Sequence, residues 1–215
     1  MGNRVAPCSE IFQQIAQQLA EVGYSVIEDA LPESVSQALY QRALSLPSDE
    51  FKRAGIGRNH SLKIDDSYRT DEIYWLDSDD EAELAYLSLM DQLRLDINRL
   101  LYMGLFDYEA HFAHYAPGSF YKRHLDAFQG NTNRVVTTVF YLNPEWHEQE
   151  GGAINLYESR QSEIPFKTVF PQMGTLVVFL SDQFPHEVLQ AQRDRYSIAG
   201  WFRVKATGVM VDPPR

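Results

Sequence analysis

His124 and Asp126 stand two positions apart in the run FYKRHLDAF. On a β-strand that spacing puts both side chains on one face, roughly 6 to 7 Å apart along the backbone, so an imidazole and a carboxylate can meet on one cation. His186, in DQFPHEVLQ, offers a third donor at the start of a later strand, after Pro185. Two imidazoles and one carboxylate on one side of an ion form a facial triad, which suits Fe(II) and leaves positions open for a cosubstrate and O2. Arg195 follows in RDRYSIAGWFRV. If HEVLQ and RYSIAGW are antiparallel neighbours joined by the AQRD turn, Arg195 returns near the metal strand. A guanidinium inside a β-barrel is costly unless it meets an anion, and its fork matches a carboxylate. A dicarboxylate chelating iron at one end and meeting Arg195 at the other describes 2-oxoglutarate. Each residue alone has an ordinary structural explanation; their order along the chain gives the set its chemistry.

The other histidines fit a metal less well. His111 and His114 are three apart on a strand and face opposite sides, while His147 and His60 fall in loops. Ordinary hydrogen bonding or solvation is expected for all four. Asp79, Asp80, Glu81 and Glu83 open a helix, where they complement its dipole.

The elements that must position these groups can also be read. Ser9 can cap a helix over EIFQQIAQQLAEVG, with Ile11, Phe12, Ile15, Ala16 and Leu19 as its apolar face and Gly23 as its left-handed end. YSVIEDAL reads as a strand, and Pro32 opens a second helix over PESVSQALYQRALSL. Residues 52–76 lack periodicity and suggest a long excursion or mobile hairpin. A third helix spans about 79–103, ended by Gly104. Strands are then expected in YEAHFAHYA, FYKRHLDA, RVVTTVFYL, AINLYES, FKTVF, GTLVVFL, HEVLQ and RYSIAGWFRV. TLVVFL is apolar throughout, as a strand covered on both faces would be. Helices followed by short strands predict an α+β fold with a mainly β core, a jelly roll buttressed by N-terminal helices on one sheet.

Bulk properties narrow the partners. The 215 residues are 44% hydrophobic and 13% aromatic, enough for a single domain. A net charge of −11 argues against nucleic acid as the main partner. Cys8 is the lone cysteine, which excludes an internal disulfide and fits a reducing compartment. MGNRVAPCSEIFQQ has no secretory apolar region, and Ala6 stands where a myristoylation motif needs Ser or Thr. No apolar run approaches the ~20 residues of a membrane span. A cytoplasmic monomer is the resulting expectation.

From about Tyr68 to Val204 the chain resembles the Fe(II)/2-oxoglutarate dioxygenases of the hypoxia-sensing prolyl hydroxylase type. The resemblance is carried by YRTDEIYWLD, YAPGSFYKRHLD, VFYLNPEW, EGGAINLY, FPHEV and RYSIAGWF. It implies a double-stranded β-helix core over 105–205, helical support over 1–104 and a tail at 206–215. It implies that His124, Asp126 and His186 bind Fe(II), and that Arg195 grips the distal carboxylate of 2-oxoglutarate with the Tyr141 hydroxyl as second donor. Tyr115 and Trp201 would line that pocket, although core packing alone would also account for such aromatics. The 52–76 loop would fold over a peptide, fixed by an Asp71–Arg134 pair. The implied reaction consumes O2, with ascorbate as an accessory reductant, and hydroxylates a prolyl C4 with release of succinate and CO2. The bacterial branch acts on elongation factor Tu, which makes that protein the expected substrate. Where the animal members carry threonine, four positions after the arginine, this chain has Ala199. That departure bears on how iron-bound water and oxygen are handled. A free amino acid as substrate, or a non-catalytic iron-binding sensor, are the alternatives.

Overall fold

The computed structural model describes residues 8–55, 65–127 and 133–205. His60 with the middle of the 52–76 excursion, Phe128 with most of the QGNTN loop, and the 206–215 tail lie outside the described residues. Helix α1 runs Cys8–Val22 and buries Ile11, Phe12, Ile15, Ala16 and Leu19, the face that the periodicity marks. Ser9 lies inside its first turn and does not cap it. Gly23 closes α1 at φ +80°, its N–H donating to the Leu19 carbonyl at 3.1 Å. Strand β1 is Tyr24–Ile27, and Pro32 is the N-cap of α2, Glu33–Ser45. Helix α3 is Glu81–Leu101; its N-cap Asp80 accepts from the backbone N–H of Ala82 and Glu83. Glu83 does more than complement a dipole. It is fully buried and takes an ion pair from Arg42 at 2.7 Å, tying α2 to α3.

The third helix stops before Gly104, at Tyr102, which takes the left-handed conformation at φ 55°. The Asn98 amide explains the early stop. It accepts from the Leu105 N–H at 2.7 Å and donates to the Leu105 carbonyl at 2.8 Å, pulling the chain back across the helix end.

Ten further strands follow: β2 Lys52–Arg53, β3 Glu72–Trp75, β4 Leu105–Tyr115, β5 Tyr121–His124, β6 Arg134–Tyr141, β7 Ile154–Leu156, β8 Lys167–Val169, β9 Leu176–Leu180, β10 His186–Val188 and β11 Arg195–Val204. All eight runs read as strands after Gly104 contain one. They form a large sheet ordered β1-β9-β6-β11-β4-β3-β2 and a small sheet ordered β5-β10-β7-β8, the two layers of a jelly roll. The ends of the 52–76 excursion are a hairpin, β2 against β3, that extends the large sheet beyond β4.

One expected pairing is absent. β10 pairs with β5 and β7, whereas β11 pairs with β4 and β6, so HEVLQ and RYSIAGW lie in opposite sheets. The connection is anchored to other loops: the Ala191 N–H donates to Ser119, the Gly118 N–H to Ala191 and the Gly152 N–H to Gln190. Those bonds hold it as a crossover between layers and not as a hairpin turn.

Phe112, Val136, Phe140, Leu176, Val178, Ile198 and Phe202 pack under the helices on one face of the large sheet. Val139, Tyr141, Val177 and Phe179 on its other face meet Ile154, Leu156 and Val169 of the small sheet. β9 is thus covered on both faces, which accounts for its unbroken apolar run. Gly200 on β11 has a packing reason as well. The Tyr108 hydroxyl, bonded to Tyr86 at 3.0 Å and Thr138 at 2.7 Å, sits where a Cβ would fall. Gly200→Ala should cost about 1–3 kcal/mol through overpacking, read as a lower denaturant midpoint at unchanged slope.

Candidate metal centre and anion pocket

His124 ends β5 and His186 begins β10, and the two are directly opposed across the small sheet. Direct opposition brings side chains together; the ring centroids are 4.2 Å apart. Asp126 lies in a bend beyond the end of β5, so strand alternation is not what aligns it with His124. Its Oδ1 is 3.6 Å from His124 Nε2 and its Oδ2 is 3.7 Å from His186 Nε2. One donor atom from each residue falls within 4.8 Å of the others, a cluster that could hold a metal ion.

The outer ring nitrogens fix the tautomers. His124 Nδ1 bonds the Lys122 carbonyl at 2.8 Å and His186 Nδ1 the Phe184 carbonyl at 3.0 Å. Both Nδ1 atoms therefore carry the proton and both Nε2 lone pairs face Asp126, the arrangement metal-binding histidines use. Burial, reinforced by the neighbouring His124, lowers His186 to about 4 and keeps it neutral near pH 7. Burial pushes the Asp126 carboxyl up, but positive charge on the two imidazoles outweighs it and holds the group well below the usual carboxylate range; a bound cation would supply the same charge between neutral rings. Two imidazoles and one carboxylate suit a divalent cation with open positions.

Arg195 approaches from the opposite sheet. It is 1% exposed, and its Nε donates to the Gly152 carbonyl at 2.8 Å and its Nη1 to Ser197 Oγ at 3.1 Å. The guanidinium lies over the rings of Tyr115 and Tyr141. Among the described residues no carboxylate pairs with it. The buried Tyr141 hydroxyl and Trp201 indole N–H make no hydrogen bond of good geometry, although Tyr141 lies close to Arg195 and Trp201 close to Asp126. Burial pushes Tyr141 up to about 12 against the pull of Arg195, so it stays a protonated donor. A buried cation beside unused donors is costly in an empty protein and fits a bound carboxylate. Arg195, Tyr141, Tyr115 and Trp201 lie in the core facing the small sheet. Gly152 was not singled out, yet a Cβ there would come within 3.0 Å of Arg195 Cδ. The EGG run was the available signal.

The Asp71–Arg134 pair is not formed. Asp71, 1% exposed, is gripped by Arg69 through Nε–Oδ1 at 2.8 Å and Nη2–Oδ2 at 2.5 Å. Arg134 pairs with Glu109 at 2.7 Å and lies over Trp201 at 3.6 Å. Each charge has found a nearer partner: Arg69 stands two residues from Asp71, and Glu109 reaches Arg134 while also meeting Arg203 at 2.8 Å. The Arg69 guanidinium also covers the Tyr121 ring, which stacks on His124 at 3.6 Å.

His111 shows the ordinary hydrogen bonding expected, its Nδ1 meeting the Phe112 carbonyl at 3.1 Å, but it is not solvated. It is buried between Trp75 and Trp201, with centroids 5.1 Å and 5.5 Å away. Burial, then the Arg69 charge, lowers it from 6.5 to about 4. The folded protein then binds fewer protons than the unfolded chain between those values, so stability falls as pH drops from 6.5 towards 4. The full shift is worth roughly 3 kcal/mol. His111→Gln should flatten that part of the stability–pH curve, measured by denaturant titration. His114 is an ordinary hydrogen-bonding histidine, bonded to Asp194 at 2.7 Å and stacked on Tyr196. His147 precedes and caps the turn 148–150.

Residues 110–203 match the 2OG-Fe(II) oxygenase superfamily. A Pseudomonas putida prolyl-4-hydroxylase crystal structure is 39% identical, with a TM-score of 0.81 over 91% of this chain and 100% of that one. A Trichoplax adhaerens prolyl hydroxylase, solved with a hypoxia inducible factor oxygen degradation domain peptide fragment, is 29% identical at TM-score 0.79, over 91% and 90%. Human Egl nine homolog 1 is 30% identical over 190 residues, 84% of this chain and 43% of that protein. The chain spans less than half the length of the curated relatives it matches first. The donor set, the unpaired guanidinium and these likenesses agree: the chain belongs to the 2OG-Fe(II) oxygenase superfamily and is similar there to prolyl 4-hydroxylases.

Proposed function

We propose that this protein is an Fe(II)- and 2-oxoglutarate-dependent dioxygenase that hydroxylates C4 of a prolyl residue in a protein, releasing succinate and CO2. The observation that carries the reading is Arg195: a buried cation without a carboxylate partner, in the same interior as a His–Asp–His cluster. His124, Asp126 and His186 would hold the iron. Iron with 2-oxoglutarate and O2 supplies the oxidising power to put oxygen into an unactivated C–H bond. The chain's own part is binding and orientation. Arg195 and the Tyr141 hydroxyl take the distal carboxylate, and Tyr115 and Trp201 wall the pocket. Phe179 against His186 helps exclude water.

The 52–76 excursion would cover the substrate, as the resemblance implies. A protein substrate is supported by the relative solved with a peptide. Elongation factor Tu is the finer reading and rests on the resemblance to the bacterial branch. The charge of −11 and lone Cys8 support the cytoplasm as its compartment.

The reading is tested by trapping proteins from extract on His124→Ala and examining them by mass spectrometry after treatment with the active enzyme. A prolyl gain of one oxygen in elongation factor Tu is the expected result. Oxidation of free amino acids and of no protein would replace this reading with the small-molecule one. No succinate above blank would leave only an iron-binding sensor.

A further inference from the structure

Asp126 differs from the two histidines in how it is held. His124 and His186 are fixed by a strand ladder, whereas Asp126 sits past the end of β5 with no ladder of its own. Thr137, on β6 of the opposite sheet, reaches across and donates its hydroxyl proton to Asp126 Oδ2 at 2.8 Å. Thr137 has only one hydroxyl proton, so its 2.9 Å contact with Ser181 Oγ must be accepted from Ser181. The chain of donors thus runs from Ser181 through Thr137 to the carboxylate. Both hydroxyl residues are buried, at 2% and 0% exposure. Ser181 also anchors the backbone beside Asp126, its carbonyl accepting from the Ala127 N–H at 3.3 Å while its own N–H donates to Val135.

We propose that Thr137 and Ser181 are positioning residues that pin Asp126 and keep it a one-oxygen ligand. A hydroxyl proton on Oδ2 draws electron density from that oxygen and stops the carboxylate from turning. Oδ1, on the His124 side, is left as the better donor. A carboxylate bound through one oxygen occupies one coordination position, whereas a chelating one would occupy a second position, needed for cosubstrate or O2. Ser181 sets the direction of the Thr137 hydroxyl, which could otherwise rotate away.

The inference rests on the metal reading of the triad and is tested with Mn(II) alone, by calorimetry and electron paramagnetic resonance on metal-free protein. Thr137→Val, which keeps the shape, should weaken Mn(II) binding roughly ten- to a hundredfold. It should also change the Mn(II) spectrum and its response to added 2-oxoglutarate. Thr137→Ser should restore affinity to within about threefold, and Ser181→Ala should fall between. Circular dichroism checks that each variant is folded. Wild-type affinity and spectrum in Thr137→Val would overturn the proposal, as would a Thr137→Ser variant as weak as the valine one. If wild type and His124→Ala bind Mn(II) equally, the metal reading falls and the proposal with it. If His124→Ala loses the metal while Thr137→Val does not, only the proposal falls.

Discussion

Replacing His186 with alanine should cut succinate formation by roughly a thousandfold or more, about 4 kcal/mol of lost transition-state stabilisation. His186 is buried, directly opposed to His124, and has its proton locked on the Phe184 side. No other described histidine, cysteine or carboxylate joins this cluster, so nothing nearby can replace the lost donor. The variant would leave one imidazole and one carboxylate, which hold a divalent ion poorly and cannot orient its open positions. Metal content and turnover should therefore fall together. His114→Ala is the matched control. That residue is on β4 of the large sheet, where it stacks on Tyr196 and bonds Asp194 away from the cluster, and it should leave turnover within about twofold.

Arg195→Ala should behave differently. The metal cluster stays whole, so Mn(II) binding should persist, while the 2-oxoglutarate requirement rises by roughly one and a half to three and a half orders of magnitude. That range follows from the 2–5 kcal/mol lost when one partner of a buried hydrogen-bonded charge pair is removed. Arg195→Lys should recover little, because an ammonium cannot donate to Gly152 and Ser197 while also presenting a fork to a carboxylate. Stability gives a second readout. In the ligand-free protein the buried guanidinium lacks a carboxylate partner, a costly arrangement that an apolar residue of similar size relieves. Arg195→Met should therefore melt no lower than wild type without ligand, yet gain nothing from 2-oxoglutarate, which stabilises wild type by mass action. A loss of Mn(II) binding in Arg195→Ala would show that the residue supports the cluster and not the cosubstrate.

These two predictions draw on residues that the sequence made visible for different reasons. His186 and Arg195 were legible because buried ionisable groups on apolar strands need a purpose. The strands themselves were legible from alternation and turn residues, and α1 from its apolar stripe. The assembly of the layers was less visible. A four-residue link after HEVLQ reads as a hairpin, and only the backbone bonds of Gly118, Ala191 and Gly152 make it cross between sheets. His124 and Asp126 were rightly grouped for the wrong geometric reason: the histidines meet by cross-strand register, and the aspartate by a bond from Thr137. A threonine within a strand and a serine in the turn after one carry no signal of that duty. The Asp71–Arg134 expectation failed because charge pairing is decided by local reach, and Arg69 and Glu109 stand closer.

The central claim is that one buried centre couples oxidation of 2-oxoglutarate to oxygenation of a prolyl residue in a protein. Incubating the enzyme with Fe(II), 2-oxoglutarate, its trapped protein substrate and ¹⁸O2 tests it in one mass spectrum. The account predicts one labelled oxygen on a prolyl residue of the substrate and one in succinate, in equal amounts, with both lost in His186→Ala. Labelled succinate without label in any protein, or a hydroxyproline whose oxygen comes from water, would contradict it.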